Sequence, residues 1–190
     1  MEKIGDIIRN NNFPVRECKK YSFGYRKTCK NLFIEAFSEV DKTVDKFEWI
    51  PEYDQIIEWM TDTKGKGLAL FGSIGRGKTV INSFIWPVLF QKHFRKTLHP
   101  RSATEWTREN VEKWAFIIDD IGTEFIVNNF GSKTDMVEYA INNAEYYTKL
   151  LFLTGNLTEK ELIERYGLRT YDRIKRLCKI VIFSGKSLRS

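Results

Sequence analysis

Apolar residues fall in short blocks, and the period of the blocks changes along the chain. Residues 67–71 (GLALF), 114–118 (WAFII), 150–153 (LLFL) and 179–183 (KIVIF) are nearly continuous apolar runs. Strands buried on both faces need such runs. Residues 96–103 are read as another strand, and Pro100 limits it to an edge or a bulge because it lacks an amide donor. Between the runs, apolar positions recur at helical spacing. Residues 52–60 place Ile56, Ile57 and Met60 on one face, and residues 134–149 do the same with Val137, Ala140, Ile141, Ala144 and Tyr147. Residues 159–166 and 171–177 read as two helices, with Gly167 as the stop between them. A helix is predicted from Thr79 onward, and Pro87 should kink or end it. Residues 32–47 are read as one helix, and a short helix is placed near residues 4–9. Strands alternating with helices predict an α/β fold with a mostly parallel sheet.

The chain of 190 residues is long enough to bury a core without disulfides or metals. No apolar run approaches the ~20 residues of a membrane-spanning helix. The start, MEKIGDIIRN, does not read as a signal peptide, and a cytoplasmic setting is expected. Cys18, Cys29 and Cys178 are an odd count without C-x-x-C spacing, so reduced thiols are expected rather than a zinc site. The net charge is +6 and is uneven. Residues 1–31 carry eight Lys and Arg against three Asp and Glu, and residues 160–190 carry nine against three. Two basic ends around an acidic middle suit a polyanionic partner, and equally an ordinary solvated surface. Tyr21, Phe23 and Tyr25 alternate with Lys19, Lys20, Arg26 and Lys27. That interleaving fits base stacking or a strand edge docked on the core, and the pattern does not separate them.

The chemistry begins at Gly72-Ser73-Ile74-Gly75-Arg76-Gly77-Lys78-Thr79, which matches G-x-x-x-x-G-K-[ST] between a buried strand and a helix. Glycines let the backbone bend around phosphate oxygens, and successive amides with the helix N-terminus form an anion nest that runs on to Val80. Lys78 is expected at the β- and γ-phosphates of ATP and Thr79 at Mg²⁺. Arg76 sits at a free position of the motif and is expected in solvent. Forty residues on, an apolar strand ends in Asp119-Asp120. Asp119 is the candidate for Mg²⁺, and Asp120 for orienting and deprotonating the attacking water. Asn156, just past the 150–153 strand, is placed to hydrogen-bond the γ-phosphate or that water. Arg169 and Arg173 form an i,i+4 pair able to reach a neighbouring subunit's nucleotide. Residues 50–53 are positional candidates for the base.

GLALFGSIGRGKT, FIIDDIGTE, LFLTGN and ERYGLRTYDRIKRL, in that order, resemble the AAA+ ATPases of the DnaC/DnaI helicase-loader type and the related IstB-type transposition ATPases. The resemblance covers about residues 48–190. It implies a P-loop NTPase core of AAA+ type, a five-stranded parallel sheet between helices, preceded by a basic, partly helical extension over residues 1–47. Gly72, Gly75, Gly77, Lys78 and Thr79 then match Walker A, and Asp119 and Asp120 match Walker B. Asn156 matches sensor 1, Arg173 the arginine finger, Arg169 the arginine one turn before it, and Arg189 a sensor-2-like arginine. The resemblance further implies head-to-tail self-association, DNA, and a replicative helicase or a transposase as partner. Three departures stand out: few residues precede the core, the stretch between Walker A and Walker B is compact, and no separate lid follows the last strand. A small-molecule P-loop kinase is the alternative from another class.

Overall fold

Five strands, all parallel, form a sheet whose two faces carry separate sets of apolar side chains. The computed structural model describes residues 2–13, 15–43, 47–124, 127–129 and 132–188. Helices α1 (Ile4–Asn10), α2 (Arg26–Val40) and α3 (Pro51–Thr61) precede strand β1 (Gly67–Gly72). A short α4 (Lys78–Val80) passes through a π-helical turn, Ile81–Ile85, into α5 (Trp86–Phe94). Strand β2 (Pro100–Ser102) and two 3-10 turns lead to β3 (Ala115–Ile121). A hairpin of β4 (Val127–Asn129) and β5 (Ser132–Thr134) precedes α6 (Met136–Tyr146). Then come β6 (Leu150–Gly155), α7 (Glu159–Tyr166), α8 (Leu168–Leu177) and β7 (Cys178–Phe183). The sheet order is β2-β3-β6-β1-β7, and its five parallel strands between helices are the architecture the alternation predicts. No described helix is long and apolar enough to cross a membrane.

The alternation of Cβ directions divides the core. Leu68 and Leu70 of β1, Ile117 of β3 and Phe152 of β6 face α2, α3 and α5. Ala69, Phe71, Phe116, Ile118, Leu151 and Leu153 face α6, α7 and α8. Both faces are covered, so the central strands read as continuous apolar runs rather than alternating ones.

Several boundaries differ from the sequence pattern for local reasons. Helix α2 begins at Arg26 and ends at Val40, because Cys29, Leu32, Phe33, Ala36 and Phe37 form one buried stripe that starts among basic residues. Pro87 does not end its helix. It falls in the first turn of α5, after the π turn, whose looser hydrogen-bond spacing accommodates the missing amide. Tyr147 is exposed, because α6 stops at Tyr146 and Tyr147 is its C-cap. Strand β2 is shorter than the pattern suggests and is an edge strand beginning at Pro100. The β4–β5 hairpin carries no apolar signal and is not legible in the sequence. Gly167, with φ +81°, separates α7 from α8 as expected. Tyr21 and Phe23 are buried against Phe90 and Phe94 of α5, so these two rings belong to the core, whereas Tyr25 is exposed.

Candidate functional site

The loop from Gly72 to Gly77 turns sharply three times, with φ of +108° at Gly72, +74° at Gly75 and +82° at Gly77. A Cβ at Gly72 would lie 2.2 Å from the Phe183 carbonyl oxygen, so both φ and space demand glycine there. The loop opens into the N-terminus of α4, which points partial positive charge outward. Lys78 folds back under the loop. Its Nζ donates to the carbonyls of Gly72 (2.8 Å) and Ser73 (2.7 Å) and to Asn156 Oδ1 (3.0 Å).

The carboxylates arrive by a bulge. Ile118 pairs with Leu153 and Ile121 with Gly155, so β3 spends three steps where β6 spends two. Asp120 takes the extra step in the left-handed region, φ +59°, which aspartate tolerates better than most residues. Thr154 of β6 bridges the pair: it accepts from the Asp120 amide (2.8 Å), and its hydroxyl donates to Asp119 Oδ1 (2.6 Å). Asn156 Nδ2 donates to Asp120 Oδ1 (3.1 Å), so one side chain links Lys78 to Asp120. Burial, then the neighbouring Asp119, push the Asp120 carboxyl above its ordinary value, and Lys78 pulls against them.

A cavity of about 810 Å³ lies over the loop. Ile74, Gly75, Arg76, Gly77, Lys78, Thr79, Val80, Asp120, Thr154 and Asn156 line it. Phe37, Phe47 and Tyr53 line it too: a Cβ at Gly77 would lie 3.3 Å from the Tyr53 hydroxyl and 3.4 Å from the Phe37 ring, and the Phe47 and Tyr53 rings stack 5.8 Å apart at 20°. Burial pushes the Tyr53 hydroxyl up to about 12, so it stays protonated. Asp41 and Glu48 line the cavity as well. Of the positional candidates for the base, Tyr53 lines the cavity while Ile50 is buried in the core. Phe37, Asp41 and Phe47 come from the N-terminal part of the chain, and only their packing reveals them. Thr154 was missed for the opposite reason: a threonine in an apolar strand looks like a strand former.

Arg76 is buried, at 9% exposure, and not in solvent as the free motif position suggests. Its guanidinium pairs with Glu52 of α3 (3.3 Å) and donates to the Lys186 carbonyl (3.1 Å). Burial alone would raise the Glu52 carboxyl, but the Ser184 amide and Arg76 hold it below its ordinary value.

The two arginines of α8 part company. Arg173 donates from Nε to Glu145 Oε2 of α6 (2.5 Å) and from Nη1 to Asn142 Oδ1, both within its own chain. Arg169 is exposed near the start of α8. Arg189 lies outside the described residues. Ser73 belongs to the loop itself, and its amide donates to the Phe183 carbonyl (2.9 Å). Asp119 accepts from the Thr154 hydroxyl.

The donor set fits a hard cation only in part. Thr79 and the Asp119–Asp120 pair offer oxygens, yet no cluster of three metal-ligating side chains occurs among the described residues. That suits Mg²⁺, which takes one or two carboxylates and completes its shell with phosphate and water.

No family model matches the sequence, and no curated protein matches it. Solved structures do match in shape. The crystal structure of the DnaC helicase loader superposes with a TM-score of 0.52 at 15% identity, over 78% of this chain and 98% of that one. The crystal structure of DnaI gives 0.47 at 16% identity, over 82% of this chain and 94% of that one. At such identities the likeness is one of fold. The chain is therefore similar in fold to the DnaC helicase loader, with an α/β architecture and a five-stranded, all-parallel sheet.

Proposed function

We propose that this chain binds and hydrolyses ATP and acts in DNA replication as a helicase-loader-like AAA+ ATPase. The observation that carries the reading is the continuous hydrogen-bonded path from Lys78 through Asn156 to Asp120 beside the glycine loop. It joins the residue suited to the γ-phosphate to the one suited to activate water.

In this reading the amides of residues 74–79 hold the phosphates, and Lys78 neutralises charge on the γ-phosphoryl group. Asp120 orients a water molecule and takes its proton as the water oxygen attacks phosphorus. The bond to the bridging oxygen breaks, leaving ADP and phosphate. Asn156 holds the attacking geometry between the two charged side chains. Thr79 and Asp119 would hold Mg²⁺, which screens phosphate charge when bound. The stacked Phe47 and Tyr53 rings take the adenine.

Assembly head to tail would bring an arginine from a neighbouring subunit to the γ-phosphate. Arg173 is engaged with Glu145, so Arg169, exposed at the start of the same helix, is the better placed of the two. The fold likeness to a helicase loader favours a replicative helicase as partner over a transposase. Pull-downs against both separate these. The site itself is tested by ATP binding in a calorimeter and by phosphate release at rising protein concentration. Wild type should bind, Lys78→Ala should not, and turnover per subunit should climb with concentration and fail to climb in Arg169→Ala. Hydrolysis that persists in Lys78→Ala would refute the assignment.

A further inference from the structure

Residues 184–188 run across the phosphate loop instead of leaving it. Contacts with α3 and with the loop pin them there. The Ser184 amide donates to Glu52 Oε1 (2.9 Å), Arg76 Nη1 donates to the Lys186 carbonyl (3.1 Å), and the Leu188 amide donates to the Gly75 carbonyl (2.9 Å). Ser187 packs so close to Gly75 that a Cβ there would lie 2.1 Å from its Oγ. Leu188 lines the cavity, as do Phe37, Phe47 and Tyr53.

The Arg76–Glu52 pair is the centre of this arrangement. Both side chains are about nine-tenths buried, and each also bonds the crossing segment's backbone. A buried charge pair without further hydrogen bonds is costly, and here the segment supplies them. Glu52 also neutralises the one arginine inside the loop, which therefore has a task other than phosphate binding.

We propose that residues 184–188 are a built wall of the nucleotide cavity, and that Arg76 is a positioning residue that anchors this wall through Glu52. The proposal rests on the nucleotide reading of the cavity. A nucleotide filling the cavity meets Leu188 as well as the Phe47–Tyr53 stack, since all three line it. Filling the cavity therefore steadies the segment, and releasing the segment loosens the nucleotide.

The test uses the full chain and a slowly hydrolysed ATP analogue. Affinity is measured by calorimetry for wild type, Arg76→Met and Leu188→Asp, with hydrogen exchange followed on the C-terminal peptide. Wild type should bind and show slowed exchange in that peptide on binding. Both variants should bind about tenfold more weakly, the equivalent of about 1.4 kcal/mol, and Arg76→Met should lose the slowing. Wild-type binding with both variants within twofold, or with exchange in the C-terminal peptide indifferent to nucleotide, overturns the wall while sparing the site. Failure of wild type to bind at all overturns both. Should Arg76→Met not fold, Leu188→Asp at a half-open position decides alone.

Discussion

Replacing Thr154 by valine keeps the shape of β6 and removes one hydroxyl. That hydroxyl accepts from the Asp120 amide at 2.8 Å and donates to the Asp119 carboxylate at 2.6 Å. Valine leaves a part-buried amide without its partner, which costs about 1–3 kcal/mol. It also removes a hydrogen bond to a charged acceptor, worth about 1.5–3 kcal/mol. The two share one atom and are not additive, so about 2–4 kcal/mol is the expected loss. For a chain of this size each kcal/mol lowers the melting temperature by about 2–4 °C. Thr154→Val should therefore melt roughly 4–16 °C lower by calorimetry, while Thr154→Ser, which keeps the hydroxyl, should lose about 1 kcal/mol or less from the missing methyl. The loss is local to the bulge that holds Asp120 at φ +59°, so ATP turnover should fall further than ATP affinity. Equal stability of the valine and serine variants, or turnover untouched in Thr154→Val, would falsify the bridging role.

Asp120→Asn should abolish hydrolysis and raise the melting temperature at pH 7. The Asp120 carboxyl is held above its ordinary 3.8, so the folded state keeps that proton longer than the unfolded one. Stability then falls as pH rises through the interval between those two values and stays lower above it. The advantage of the variant should vanish at pH 3, and a less stable variant at pH 7 would contradict the sign. Arg173→Ala should lower the melting temperature by breaking the α8–α6 link to Glu145 and Asn142, whereas Arg169→Ala should leave it unchanged. Equal effects on thermal unfolding would erase the distinction drawn between them. Lys19 and Lys20 are exposed, while Arg26 is engaged by Asp54 at 2.5 Å. If this segment meets single-stranded DNA, Lys19→Ala with Lys20→Ala should flatten the log–log salt dependence of binding by about 1.4, from ~0.7 per phosphate contact. An unchanged slope removes these two lysines from the DNA surface.

Much of the sheet was legible because burial on both faces writes itself as uninterrupted apolar runs. Residues 67–71, 150–153 and 179–183 lie within β1, β6 and β7. The helix of residues 52–60 was legible because Ile56, Ile57 and Met60 share one buried face. The glycine loop was legible for a different reason: positive φ at Gly75 and Gly77 restricts the residue type, so the backbone shape survives as a motif.

By itself, then, the sequence determined the alternation of strands and helices, the glycine loop, and the candidate chemistry of Lys78, Asp120 and Asn156. These follow from local rules, namely period, propensity and spacing. Tertiary structure alone decided that Asn156 bonds both Lys78 and Asp120, that Thr154 ties Asp119 to the Asp120 backbone, and that Phe37, Phe47 and Tyr53 share one cavity wall. It also set Arg76 against Glu52 and Arg173 against Glu145, across 24 and 28 residues of chain. A charged side chain takes its role from whichever opposite charge the fold brings within about 3 Å, and sequence spacing does not encode that distance once the chain has turned back on itself.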